Sequence, residues 1–273
     1  MSYLSQIYTE PRKGLNFDNY FNSQIEIKDL PFHNIQTVNT SLIISGKSGS
    51  GVTHVLNALC NKYSNQNRKV LYITSQWLMQ INKLLKTETN REQFLIELSS
   101  YDVVAIDNIQ FLYRKSQTNL NFVVQLIIHC KTIGKTVLIG CSDPKKDITK
   151  SKAFIKSYSL KRIELRELSS YDVFTALKHL CFPEDQLPDS LLYAISGYNG
   201  MIQQHINCLI SVRFNPLLKT LNIEAMSVEE LDKLFNLKTY FPKQQFRKCF
   251  IQYTLDFEKK EKVDRSLPRY ISN

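Results

Sequence analysis

Four short apolar runs alternate with segments of helical periodicity over the first half of the chain. The apolar runs are Leu42–Ile44, Lys69–Thr74, Tyr101–Asn108 and Thr136–Gly140. Short, continuously apolar runs are typical of parallel strands that are buried on both faces. The intervening segments repeat apolar residues three and four positions apart, as amphipathic helices do; they are His54–Cys60, Trp77–Leu85, Arg91–Leu98 and Leu120–His129. The pattern therefore predicts an α/β fold, an αβα core around a parallel sheet.

The pattern changes at Ser169, after which only helical segments follow. We predict helices at Tyr171–Cys181, Pro188–Ser196, Met201–Val212 and Val228–Leu237. A run of helices after an alternating region indicates a separate small helical domain. The predicted organisation is a core over residues 1–168, a helical domain over 169–237, and a basic tail with interleaved aromatic residues over 238–273.

The first predicted strand leads into a glycine-rich loop and then into a helix. Of the 8 glycines in the chain, three lie between Gly46 and Gly51. Strand, glycine-rich loop and helix form the context of a phosphate-binding P-loop, in which backbone N–H groups and the helix N-terminus hold phosphate oxygens. The predicted site for ATP or ADP with Mg²⁺ comprises eight consecutive loop residues: Gly46, Lys47, Ser48, Gly49, Ser50, Gly51, Val52 and Thr53.

The loop departs from the P-loop pattern at one position. Gly46, Gly51 and Thr53 match G-x-x-x-x-G-K-[ST], but Val52 occupies the lysine position. A hydrogen bond to a charged group contributes roughly 1.5–3 kcal/mol, so we expect nucleotide affinity about ten- to a hundredfold weaker. Two alternatives stay open: Lys47 substitutes for the missing lysine, or the loop only connects strand and helix and holds no nucleotide.

Polar residues end two of the predicted strands. Asp107 lies where the aspartate of a P-loop NTPase helps to hold Mg²⁺ together with the loop hydroxyl, here Thr53; the alternative is that Asp107 caps the next turn. Asn108 follows it, and an amide can orient a water but cannot take its proton. After the strand Thr136–Gly140, Asp143 either senses a terminal phosphate or forms an Asx turn.

The charge of the chain favours an acidic partner. The formal net charge is +10, and lysine and arginine are densest over residues 145–166. Lys150, Lys152 and Lys156 are candidate contacts to DNA phosphates, although a solvated face is the usual explanation of such a run. The six cysteines are scattered with no C-x-x-C pair, which disfavours a zinc site and a disulfide framework. The sequence shows neither a signal-peptide pattern nor an apolar run of the ~20 residues that span a bilayer, so we expect a cytoplasmic protein.

Taken together, these motifs resemble the AAA+ domain of the DnaA family of bacterial replication initiators. The resemblance is carried by the P-loop, by Phe17–Phe21 ahead of it, by the stretch Val103–Leu112, by Gly140–Pro144, and by the helices after Leu187. It implies a P-loop AAA+ core with a parallel sheet, followed by a small helical lid.

The departures from the family pattern shape the expected function. In addition to Val52, the chain has Asn108 in place of a second acid and Gln203 near the expected sensor-2 arginine. The resemblance implies a DnaA-like or Hda-like protein of replication initiation or its regulation, acting mainly through contacts with an initiator or another replisome protein, with possible self-association and weak or absent ATPase. Two alternatives remain: an active AAA+ ATPase, such as a helicase loader or initiator, and a non-catalytic basic DNA-binding protein.

Overall fold

The computed structural model describes residues 11–18, 20, 41–112, 117–143, 145, 160–180, 187–198 and 202–241. The chain divides into two compact units, Met1–Asp172 and Val173–Asn273. Within the described ranges, no helix is both long enough and apolar enough to cross a membrane.

The first unit is built on a five-stranded parallel sheet with the strand order β2-β3-β4-β1-β5. The strands are β1 (Leu42–Gly46), β2 (Val70–Thr74), β3 (Val103–Asp107), β4 (Thr136–Cys141) and β5 (Lys161–Leu165). All residues of β1, β3 and β4 are buried. This confirms the predicted α/β fold and explains why these strands are mostly apolar.

Helices cover both faces of this sheet. Alternate strand residues such as Leu42 and Ile44 pack in one buried cluster with α1 (Val52–Asn65). Their neighbours, such as Ile43, pack in a second cluster with the helices of the opposite face; these are α2 (Ser75–Leu84), α3 (Glu88–Ser99) and α4 (Gln117–Thr132). Because successive strand residues point to opposite faces, each of β1 to β4 contributes to both clusters, whereas Ile163 and Leu165 of β5 pack only in the cluster with α1.

Strand β5 lies inside the basic run and was not predicted as a strand. It pairs with β1 at the edge of the sheet. Lys161, Arg162 and Glu164 are exposed, and only Leu165 is fully buried. An edge strand with charged side chains lacks the continuous apolar signal of a central strand, so its pattern resembled a solvated charged segment.

The second unit is helical. Helix α5 (Ser170–Leu180) begins in the first unit and continues into this one, where α6 (Asp189–Ser196), α7 (Ile202–Arg213) and α8 (Val228–Phe235) follow. Short 3₁₀ turns lie at Pro216–Lys219, Ile223–Ala225 and Leu237–Tyr240.

Aromatic stacking joins the end of the described chain to the core of this second unit. Phe241 is 2% exposed, stacks on Tyr198 with ring centroids 4.7 Å apart, and packs against His205. The Tyr198 hydroxyl donates to Asp232 at 2.6 Å, and the Lys238 ammonium contacts the same carboxylate at 2.8 Å. Phe241, four residues beyond Leu237, therefore belongs to the core of the helical unit.

Candidate nucleotide site

The glycine-rich loop runs from the end of β1 at Gly46 to the start of α1 at Val52. Gly49 and Gly51 have φ angles of 93° and 88°, a left-handed conformation that favours glycine. The Ser50 amide donates to the Lys47 carbonyl at 3.0 Å, which closes the turn inside the loop. This geometry places the loop at the N-terminus of a 14-residue helix, where the helix dipole favours an anion.

The residue at the lysine position lies in the core. Val52 is 2% exposed, and a Cβ atom added to Gly140 of β4 would lie 3.3 Å from its Cγ1 atom. The lysine of the loop, Lys47, forms an ion pair with Glu167 at 2.7 Å. The Lys47 side chain is 71% exposed and the Glu167 side chain is 53% exposed. Exposed pairs of this kind contribute at most about 1 kcal/mol. In this structure Lys47 therefore pairs with Glu167 and does not stand in for the missing P-loop lysine.

The predicted magnesium residues, Thr53 and Asp107, lie together. The Thr53 hydroxyl donates to Asp107 Oδ2 at 2.9 Å, although 54 residues separate them in sequence. A P-loop hydroxyl and a strand-end aspartate are the protein ligands that such sites use for Mg²⁺, so the oxygen set fits this cation. The Asp107 side chain is completely buried, and a buried carboxylate needs hydrogen-bond donors or a cation.

Two further donors reach the Asp107 carboxylate. The Tyr72 hydroxyl donates to Oδ2 at 2.6 Å, and the Asn108 amide donates to Oδ1 at 2.7 Å. Asn57 Nδ2 donates to the Tyr72 hydroxyl at 3.3 Å and to the Thr53 carbonyl at 2.7 Å. Burial raises the pKa of the Tyr72 hydroxyl, and the nearby Asp107 charge raises it further, so Tyr72 remains a proton donor.

A second set of contacts joins the ends of β3 and β4. Asn108 has a φ angle of 59°, and its side-chain oxygen accepts from Gln110 Nε2 at 3.2 Å. Gln110 in turn accepts from the Ser142 amide at 3.1 Å. Beyond Ser142, the Asp143 carboxylate accepts from the Lys145 amide at 3.1 Å, which is the geometry of an Asx turn.

The remaining predicted site residues belong to the second unit or fall outside the described residues. Gln203 belongs to the second unit, where its side chain donates to Asn207 Oδ1 at 3.0 Å. Lys150, Lys152 and Lys156, the predicted DNA contacts, lie outside the described residues. In the part of the chain that the structure describes, no group of three or more His, Cys, Asp or Glu side chains is arranged to hold a metal ion.

Several residues near the site had not been identified from the sequence. Along α1, His54, Asn57 and Asn61 lie three and four positions apart and bind backbone groups of residues 12–16. His54 Nε2 donates to the Asn16 carbonyl at 2.8 Å, and burial lowers the His54 pKa. A polar stripe along a largely buried helix was the available sequence signal for this contact.

Tyr20 is a further residue that contacts the loop. Its hydroxyl donates to the Ser50 carbonyl at 3.0 Å, and its ring lies against Gly51 and His54. Ser50 also carries a buried hydroxyl that has no hydrogen-bond partner among the described residues. The loop is therefore held in part by the segment that precedes the sheet.

Comparison with known proteins identifies the family. The sequence profile of the bacterial DnaA ATPase domain matches residues 21–160, more than half of the 273-residue chain. The chain belongs to the DnaA family. This family membership and the AAA+ fold confirm the resemblance inferred from the motifs.

Relatives of this DnaA-family chain are replication initiators. The DnaA protein of Mesoplasma florum is 34% identical over 102 residues, which cover 36% of this chain and 23% of that protein. DnaA of Porphyromonas gingivalis strain W83 is 28% identical over 149 residues, covering 51% of this chain and 31% of that protein. The matches thus span less than a third of the length of these relatives.

Two solved structures share the fold. Domain III of Thermotoga maritima DnaA gives a TM-score of 0.55 at 19% identity, covering 72% of this chain and 84% of that one. AMPPCP-bound DnaA from Aquifex aeolicus gives 0.54 at 16% identity, covering 64% and 56%. At these identities the likeness establishes the fold alone.

Proposed function

We propose that this DnaA-family protein acts in replication initiation or its regulation mainly through protein contacts, with ATP turnover that is very slow or absent. The observation that carries the proposal is Val52, which occupies the lysine position and is 2% exposed in the core. That lysine normally reaches the β- and γ-phosphates and balances charge in the transition state. Without this lysine, we expect the rate of ATP hydrolysis to fall by a larger factor than the affinity for nucleotide.

The loop is proposed to bind ATP or ADP weakly. Its backbone N–H groups and the N-terminus of α1 would hold the phosphates, and Thr53 and Asp107 would hold Mg²⁺, which would supply positive charge to neutralise the phosphates. The relative from Aquifex aeolicus was solved with the nucleotide analogue AMPPCP, which supports a nucleotide as the ligand. The missing ammonium contact of roughly 1.5–3 kcal/mol predicts affinity about ten- to a hundredfold weaker than in a complete loop.

The residue that follows Asp107 cannot serve as a general base. Asn108 carries an amide, which cannot accept a proton from water at neutral pH, and its side-chain oxygen is already bonded to Gln110. This arrangement favours a site that binds nucleotide but does not activate water for hydrolysis. Bound nucleotide would then change the protein surface rather than drive repeated cycles of ATP hydrolysis.

Steady-state ATP turnover tests the proposal. We expect wild-type turnover to be no faster than that of Asp107→Ala, with Asp102→Ala as the matched control; the Asp102 carboxylate lies at the other end of β3, where it accepts from the Lys69 amide at 2.9 Å. Turnover near ~1 s⁻¹, within the ordinary enzyme range, that survives in Asp102→Ala and disappears in Asp107→Ala would refute it.

An active ATPase is the second candidate function. The observation that favours it is the retained Thr53–Asp107 contact of 2.9 Å, together with an exposed Lys47 that is free of the core. In this alternative Lys47 leaves Glu167 and supplies the missing charge, and the turnover measurement above separates the two candidates.

DNA binding without sequence preference is a further proposal, motivated by the formal net charge of +10. If Lys150, Lys152 and Lys156 contact phosphates, their joint change to glutamate should weaken binding and flatten its dependence on salt. Unchanged affinity and salt slope would show that these lysines are a solvated surface. Discrimination of more than about a hundredfold between duplexes would instead indicate a base-reading element.

A further inference from the structure

The strongest unassigned feature is the pair of side chains behind the Asp107 carboxylate. Tyr72 lies on β2, next to β3, and is 8% exposed within the cluster that packs on α1. A ring in this position cannot turn away from Asp107 without opening the core. The contact of 2.6 Å between its hydroxyl and Asp107 Oδ2 is therefore fixed by the fold.

The direction of the Tyr72 proton is fixed as well. A tyrosine hydroxyl has one proton to donate and also accepts hydrogen bonds. Asn57 Nδ2 donates to this hydroxyl at 3.3 Å, which leaves the single Tyr72 proton for Asp107. Asn57 is itself held, because its side-chain oxygen accepts from the Arg12 amide at 2.8 Å and its nitrogen donates to the Thr53 carbonyl at 2.7 Å.

The two donors on Asp107 Oδ2 differ in what they can do. Thr53 lies in the first turn of α1, directly after the loop, and has a hydroxyl that can rotate to present its oxygen to a cation. Tyr72 has no such freedom and remains bonded to the carboxylate. Partners of this kind, behind the atoms that hold a metal, orient the carboxylate, and their loss typically lowers metal affinity about ten- to a hundredfold.

We propose that Tyr72 is a positioning residue that holds the Asp107 carboxylate against Thr53 for a divalent cation, with Asn57 directing the Tyr72 hydroxyl. The inference rests on the proposed nucleotide site. It identifies the side chain that determines how strongly Mg²⁺ increases nucleotide affinity there. Tyr72 does not touch phosphate in this account. Its effect is exerted only on Asp107, so it changes the contribution of Mg²⁺ and leaves binding in the absence of Mg²⁺ unaltered.

The test compares ADP affinity with Mg²⁺ and with EDTA by calorimetry. For Tyr72→Phe we expect the gain in affinity on adding Mg²⁺ to shrink about tenfold or more, while the affinity in EDTA stays at the wild-type value. Tyr63→Phe is the matched control. Tyr63 lies in the same buried cluster, but its buried hydroxyl has no hydrogen-bond partner among the described residues, so this change should alter neither affinity.

Each outcome decides the proposal. An unchanged Mg²⁺ gain in Tyr72→Phe, or an equal loss with Mg²⁺ and with EDTA, would overturn it, because the second result indicates a packing role. If the wild-type chain binds no ADP, the same comparison is made in the Val52→Lys background. Binding there with an unchanged Mg²⁺ gain overturns the positioning role alone, whereas no binding in either background overturns the proposed nucleotide site as well.

Discussion

The contact between Tyr20 and Gly51 allows a quantitative test of how the loop is held. Gly51 has a φ angle of 88°, and a Cβ atom added there would lie 2.6 Å from Cε2 of the Tyr20 ring. Gly134 has a comparable φ angle of 72°, but nothing lies within 4 Å of its added Cβ. Gly51→Ala and Gly134→Ala therefore share the backbone strain and differ in the steric overlap.

The expected magnitudes follow from these two contributions. A residue with a Cβ in the left-handed region costs about 1–2 kcal/mol, which is the whole effect expected for Gly134→Ala. Forcing an extra methyl group into a packed region costs about 1–3 kcal/mol more. We therefore expect Gly51→Ala to lower the free energy of unfolding by about 2–5 kcal/mol.

Urea unfolding followed by tryptophan fluorescence measures this difference. The chain has one tryptophan, Trp77, which lies on α2 in the same unit as both glycines. In a Tyr20→Ala background, Gly51→Ala should cost no more than Gly134→Ala, because the overlapping ring is gone. Equal costs for the two glycine variants in the presence of Tyr20 would refute the described contact.

Three further predictions concern other parts of the chain. Ser227→Ala should lower the free energy of unfolding by about 1 kcal/mol, measured by circular dichroism, because it removes the capping box that Ser227 forms with Glu230 at the start of α8; an effect below the experimental error would contradict it. Burial lowers the pKa of His54, so the unfolded chain takes up a proton first as pH falls through ~6.5; stability should decline as pH falls below that value, and His54→Gln should lose that slope. Lys47→Ala should change ADP affinity less than about twofold, since Lys47 pairs with Glu167 at the surface and such pairs are weak; a tenfold loss in calorimetry would show that Lys47 serves as the phosphate lysine.

Strands β1 to β4 could be predicted from the sequence because their signal is local. β1 to β4 are short and apolar over most of their length, and each was expected within a few residues of its observed bounds. The Thr53–Asp107 contact was likewise predictable, since the carboxyl ends of parallel strands meet at one edge of the sheet. The P-loop motif indicated that these two residues, 54 positions apart in the sequence, would meet.

The side-chain network behind Asp107 could not be predicted in the same way. Tyr72 and Asp107 lie 35 residues apart, and a tyrosine in an apolar strand has the same pattern as any other core residue. The contact of Tyr20 with Ser50, 30 residues away, depends on how the leading segment crosses α1. Such pairings are set by tertiary packing rather than by periodicity. The position of β5 at the edge of the sheet could not be predicted for the same reason.

Calorimetric titration of ATP into Val52→Lys is the most direct test of the central claim, which is that a phosphate loop is weakened by its buried valine. We expect the new ammonium group to regain about 1.5–3 kcal/mol and to tighten binding ten- to a hundredfold relative to wild type. Val52→Ala, which adds no charge, should bind as the wild type does. Affinity that is the same in all three proteins, with the fold of Val52→Lys intact by circular dichroism, would contradict the claim and show that the loop does not hold phosphate.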